Sequence, residues 1–163
     1  MKMNVVKGIK MLGKEDIIKM IKDMELPLNE YWITSGAGLV IHGVKETTND
    51  IDLGGTTNLV ELFVKKGCKY TLEKDNSRIV QINNTIEILE NWFVDEIVFI
   101  DGLPVGSLES IKKQKAQLGR EKDIKDIKII DDYIKNRVNI KIWKYEIRNT
   151  YRVQLGVNKC ERY

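Results

Sequence analysis

The sequence predicts an α/β (α+β) domain: one mixed β-sheet with helices packed against it. Three observations carry this. Helical and alternating apolar periods follow one another along the chain, several short strand-like runs are separated by turn residues, and 163 residues suffice for a single core. Hydrophobic residues make up 42% and charged residues 31%, which is globular composition. The net charge of +3 permits contact with nucleic acid without arguing for it. Cys68 and Cys160 stand in no metal-binding spacing and read as reduced thiols of a cytoplasmic protein. No run approaches a membrane span, and the N-terminus lacks the pattern of a signal peptide.

The elements follow in order. Residues 1–13 read as an N-terminal arm, 14–138 as the domain and 139–163 as an appendage of either strand or helix type. Ile17, Ile18, Ile21 and Met24 recur at helical spacing behind Glu15 and Asp16, and Pro27 closes that helix. The run EYWITSG predicts a strand ending at Gly36, and AGLVIHG a short helix. NDIDLGG reads as a strand broken by Gly54 and Gly55. Leu59, Leu62 and Phe63 mark a helix that stops at Gly67. KYTLEK, SRIVQIN, TIEILEN and EIVFIDGLPV are strand-like. Ser107 opens a long helical pattern that Gly119 divides in two.

The stretch TSGAGLVIHGVKETTNDIDLGGT concentrates the chemistry. On a strand, Asp50 and Asp52 share one face, about 7 Å apart, while Ile51 and Leu53 take the other. Two carboxylates so placed repel unless a cation lies between them, and Mg²⁺ suits such oxygen ligands together with substrate phosphates. A strand that turns into a helix at Ser35-Gly36 offers free backbone N–H groups and a hydroxyl to phosphate. Glu87, flanked by Ile86 and Ile88, supplies a third acid if its strand neighbours that of Asp52. His42 reads as a packed, hydrogen-bonded histidine, and Glu90, Asp95 and Glu96 as surface charges. Lys115 and Lys122 lie seven residues apart, so an unbroken helix would present both on one face.

In this combination the chain resembles the nucleotidyltransferase-fold (DNA polymerase beta-like) superfamily, and within it the minimal and AbiEii-like toxin-type members. Ser35-Gly36 matches the glycine turn, Asp50-Ile51-Asp52 the Asp-x-Asp pair, and Glu87 the third acid. HGVKETTNDIDL is similar to the run before and through that pair, and Lys115, Arg120, Lys122, Asp123 and Asp126 fall in a later helical motif. The resemblance covers residues 30–135. Ser35 stands where glycine is commonest, Glu46 where arginine is frequent, and Glu87 where aspartate is commoner. The resemblance implies Mg²⁺-dependent transfer of a nucleoside monophosphate from an NTP to an acceptor hydroxyl of tRNA, protein or a small molecule such as an aminoglycoside. Asp50, Asp52 and Glu87 would be catalytic and metal-binding; Ser35, Gly36, Lys115 and Lys122 would bind nucleotide. It also implies the toxin half of a toxin–antitoxin pair, with an antitoxin partner. The rival expectation is a silent module that keeps the fold to bind nucleotide or a partner.

Overall fold

The computed structural model describes residues 10–154. The sheet is built from β1 (Tyr31–Thr34), β2 (Ile51–Gly55), β3 (Tyr70–Leu72), β4 (Arg78–Gln81), β5 (Ile86–Glu90), β6 (Ile97–Ile100) and β7 (Leu103–Gly106). Its helices are α1 (Lys14–Asp23), α2 (Ser35–His42), α3 (Thr57–Lys65), α4 (Leu108–Leu118) and α5 (Glu121–Gln154). The strand order is β3-β4-β5-β2-β1-β7-β6. Parallel pairing joins β1 to β7 and β2 to β5, and the remaining neighbours are antiparallel. The expected mixed sheet with flanking helices is the observed architecture.

The core follows from the alternation of the central strands. Ile51, Leu53, Ile86 and Ile88 are buried, and they pack with Ile17 and Ile21 of α1 and Val40 and Ile41 of α2. A second cluster of Leu39, Ile111 and Ile130 binds α2, α4 and α5 together. At Gly38, a Cβ would lie 2.7 Å from the Ile111 side chain, so α2 and α4 approach where only hydrogen fits. Leu12 is buried and bridges to Thr48, so it ties the end of the N-terminal arm to the core, while Lys10 and Met11 stay exposed. Residues 1–9 of that arm lie outside the described residues.

Several boundaries differ from the sequence reading. Gly54 and Gly55 do not break β2; they continue it opposite Trp32 and Tyr31. A Cβ at Gly54 would lie 2.0 Å from the indole of Trp32, and one at Gly55 would lie 2.5 Å from Ile88. The glycines therefore admit neighbouring side chains rather than stop the strand. EIVFIDGLPV is two strands, turned over at Asp101 and Gly102, both with positive φ as a tight hairpin turn requires. β1 ends at Thr34, and Ser35 already opens α2. Helix α3 closes as expected: the N–H groups of Gly67 and Cys68 donate to the carbonyls of Val64 and Phe63. Residues 139–154 of the C-terminal appendage are helix, the uninterrupted continuation of α5, and residues 155–163 lie outside the described residues. Among the described residues no helix is long and apolar enough to cross a membrane.

Candidate active site

A cleft of about 830 Å³ opens at the end of the central strands. Ser35, Gly36, Asp50, Asp52, Glu87, Lys115 and Lys122 all line it. Parallel pairing of β2 with β5 places Asp52 directly beside Glu87, so the neighbouring strand that the third acid required is present. Asp50 sits one residue before β2 and is exposed, whereas Asp52 is partly buried. Burial, then the charges of Asp50 and Glu87, push the Asp52 carboxyl up to about 6. The Ser35 hydroxyl and the charge of Lys122 oppose that rise without cancelling it. This wall of the cleft therefore carries unrelieved like charge.

The α2 N-terminus forms the next part of the lining. The Thr34 side chain does not cap the helix; its hydroxyl donates to Gln114 Oε1 at 2.7 Å. The first-turn N–H groups of α2 are thus left for another acceptor. Ser35 has φ of 55°, a left-handed value uncommon outside glycine. Gly36 has a packing reason beyond phosphate approach, since a Cβ there would meet Thr48 Oγ1 at 2.9 Å.

The helix wall is of opposite character. Gly119 ends α4 with a left-handed cap, so Lys115 and Lys122 belong to separate helices and the shared-face register is broken. Both still reach the cleft. Lys115 is buried, with its ammonium 2.8 Å from Asp126 and 3.5 Å from Asp123. This lysine is held by carboxylates of its own chain, and these pairs tie α4 to α5. Lys45 pairs with Asp126 at 2.7 Å, and Arg120 Nε donates to Asp123 Oδ2 at 2.6 Å. The hydrogen bond from Arg120 holds Asp123 below the usual carboxylate range despite burial, with Lys115 adding to it. For Asp126, burial works against the charge, but Lys115 and Lys45 outweigh it and hold the carboxyl low. Lys122 and Arg120 remain the cations whose positive field reaches Asp52 or is felt from it.

On the far side, Glu90 is buried and accepts from the Arg78 backbone and guanidinium, an ion pair in place of the expected surface charge. Alternation alone does not reveal that partner twelve residues away. Lys45, which in the sequence stands beside Glu46 as a substitute for the frequent arginine, is brought by the turn after α2 to Asp126. His42 donates from Nε2 to the Gly106 carbonyl at 2.8 Å, and burial lowers its pKa, so it is a packed, hydrogen-bonded residue outside the cleft.

Among the described residues no group of three or more histidine, cysteine, aspartate or glutamate side chains is close-set enough to cage a metal alone. The acids nonetheless suit a divalent cation in chemistry: oxygen donors, mutual repulsion, and an Asp52 pKa that a positive charge would bring down. Such a site needs further oxygens from a phosphate-bearing ligand.

No protein-family model and no curated protein matches the chain. Among solved structures it is similar to ANT(2")-Ia in complex with adenylyl-2"-tobramycin, at 18% identity and a TM-score of 0.48, over 84% of this chain and 95% of that chain.

Proposed function

We propose that the chain is a Mg²⁺-dependent nucleotidyltransferase that moves a nucleoside monophosphate from an NTP to an acceptor hydroxyl, with release of pyrophosphate. The observation that carries this is the pairing of Asp52 with Glu87 on parallel strands, beside the uncapped start of α2 in one cleft. The same chemistry, read through the sequence resemblance, extends to a toxin held by an antitoxin.

Asp50, Asp52 and Glu87 would hold the metal, which when bound would neutralise phosphate charge and lower the pKa of an attacking hydroxyl. The Ser35 hydroxyl and the first N–H groups of α2 bind the triphosphate oxygens. Lys122 and Arg120 offset the charge that grows on the departing pyrophosphate. Glu87, on the acceptor side of Asp52, takes the proton as the acceptor oxygen bonds to the α-phosphorus and the bond to the bridging oxygen breaks. Lys115 orients this machinery through Asp123 and Asp126.

Single-turnover transfer from α-³²P-labelled NTPs, with cell extract as acceptor, tests the reading. Asp50→Ala and Asp52→Ala should abolish Mg²⁺-dependent label transfer, and Glu87→Gln should lose about 10²-fold or more with little change in NTP affinity. Wild-type transfer in the Asp52→Ala protein would sink the assignment. A second reading, a silent nucleotide-binding module, is favoured by one observation: the carboxylates do not close into a metal cage among the described residues. NTP binding with no pyrophosphate release would select it.

A further inference from the structure

Helix α5 runs well past the last buried residue of the domain, Ile130. From residue 135 to 154 it carries Lys135, Arg137, Lys141, Lys144, Arg148 and Arg152 against the single acid Glu146. At about 100° per residue, Arg137, Lys141, Lys144 and Arg148 fall within a sector of roughly 60° and extend about 16 Å along the axis. All four are exposed. The ion pairs that α5 makes reach no further than Asp131, so among the described residues none touches this stripe.

Apolar residues flank the stripe on both sides. Val138, Ile142 and Tyr145 lie along one edge, and Ile140, Trp143 and Ile147 along the other. Trp143 is 60% exposed and Tyr145 68%. This arrangement discriminates among occupants. A membrane-surface helix needs its apolar residues on one face, and here they stand on opposite edges. A second copy meeting this face would bring four like charges against four. A polyanion with unpaired bases fits both features, since cations track phosphates and aromatic rings stack on bases.

We propose that this face of α5 is a docking surface for single-stranded RNA. The choice of RNA rests on the proposed transfer reaction, because an RNA 3′ end supplies vicinal acceptor hydroxyls. The same helix begins at the cleft: Lys122 lines it, and Arg137 and Arg148 follow about 22 and 39 Å further along the axis. The stripe continues the α5 face on which Asp123, Asp126 and Ile130 are buried, so it emerges where the helix leaves the domain.

The test is fluorescence anisotropy with a labelled 20-nucleotide single-stranded RNA, in the full chain and without NTP, so that binding is read apart from catalysis. The expected result is binding that weakens more than tenfold when Arg137, Lys141, Lys144 and Arg148 are all changed to Gln. The slope of log K against log salt should fall by about 3, near 0.7 for each cation removed. Trp143→Ala should weaken binding by about fivefold or more, as the loss of one stacked base does. Lys19→Gln, which removes an exposed cation on α1, should leave RNA binding as tight as in wild type. Equal RNA affinity in the quadruple variant overturns the proposal, as does tighter binding to DNA of the same sequence. Binding to phosphatidylglycerol vesicles without RNA binding also overturns it, and so does dimerisation through Trp143 without RNA binding. Absence of RNA binding by the wild-type chain, with pyrophosphate release intact, would remove this inference and leave the transferase reading standing. RNA binding through α5 with no transfer would do the reverse.

Discussion

The strand wall and the helix wall of the cleft treat carboxylates in opposite ways. On the strand wall, Asp50, Asp52 and Glu87 repel one another, and Asp52 is pushed up to about 6. On the helix wall, Asp123 and Asp126 are as deeply placed, yet Arg120, Lys115 and Lys45 hold both below the ordinary range. Burial penalises charge on both walls, and the sign of the neighbours decides the outcome. The helix wall is a closed network that stabilises α4 against α5. The strand wall stores repulsion that a cationic ligand, or protonation of Asp52, relieves. That difference separates the scaffold from the site better than residue type does, since both walls are rich in aspartate and the nearby cations serve different walls.

The largest expected effect comes from breaking the closed network. Lys115→Met removes the cation shared by Asp123 and Asp126 and leaves them with Arg120 and Lys45 alone. Loss of one member of a buried ion-pair network costs about 3–5 kcal/mol, and the surviving partners favour the low end. Urea denaturation at pH 7 reads this directly. A loss below 1 kcal/mol would mean that Lys115 is free for nucleotide after all.

The next effect has the opposite sign. A carboxyl whose pKa is raised from 3.8 to about 6 on folding favours the folded state when protonated. Its contribution is complete below pH 3.8 and is lost as pH rises through about 6. Metal-free protein should therefore gain stability as pH falls from 7 towards 5. Asp52→Asn should capture that gain at pH 7, up to roughly 3 kcal/mol for two pKa units. Asp123 and Asp126 act in reverse: their stabilisation is present above the unfolded carboxyl range and is lost as pH falls through their lowered folded values. In thermal melts without Mg²⁺, wild type should pass through a maximum in mild acid. Asp52→Asn should lose the rise while keeping the acid-side fall. A flat profile from pH 7 to 5 in wild type would refute the stored repulsion.

The two walls were not equally legible in the sequence. The strand wall follows from period-two alternation, because Ile51, Leu53, Ile86 and Ile88 must turn inward and that aims Asp52 and Glu87 together. The helix wall depends on partners that periodicity cannot pair. Lys115 read as a nucleotide ligand because its carboxylates come from the next helix, across the Gly119 break. Gly54 and Gly55 read as a strand end for the same reason: the bulk that excludes their Cβ atoms belongs to Trp32 and Ile88, on neighbouring strands. The C-terminal run was ambiguous because its two apolar edges also satisfy an alternating pattern.

The smallest effect sharpens the comparison at the junction of strand wall and α2. Ser35 holds φ of 55° where glycine would be unstrained, and its hydroxyl opposes the rise in the Asp52 pKa. Ser35→Gly has three consequences. It relieves about 1–2 kcal/mol of left-handed strain. It gives back about 0.4–1 kcal/mol by loosening the unfolded chain. It also removes a donor that favours the ionised Asp52, which matters only where Asp52 is charged. At pH 4.5, where the carboxyl is largely protonated, the net should be a gain of about 1 kcal/mol. At pH 7.5 the lost donor cuts into that gain. The measurement is the difference in unfolding free energy between Ser35→Gly and wild type at the two pH values, without metal. If the variant is equally stabilised at both, Ser35 does not act on Asp52. If it is destabilised at pH 4.5, the strained φ is not carried by the protein in solution.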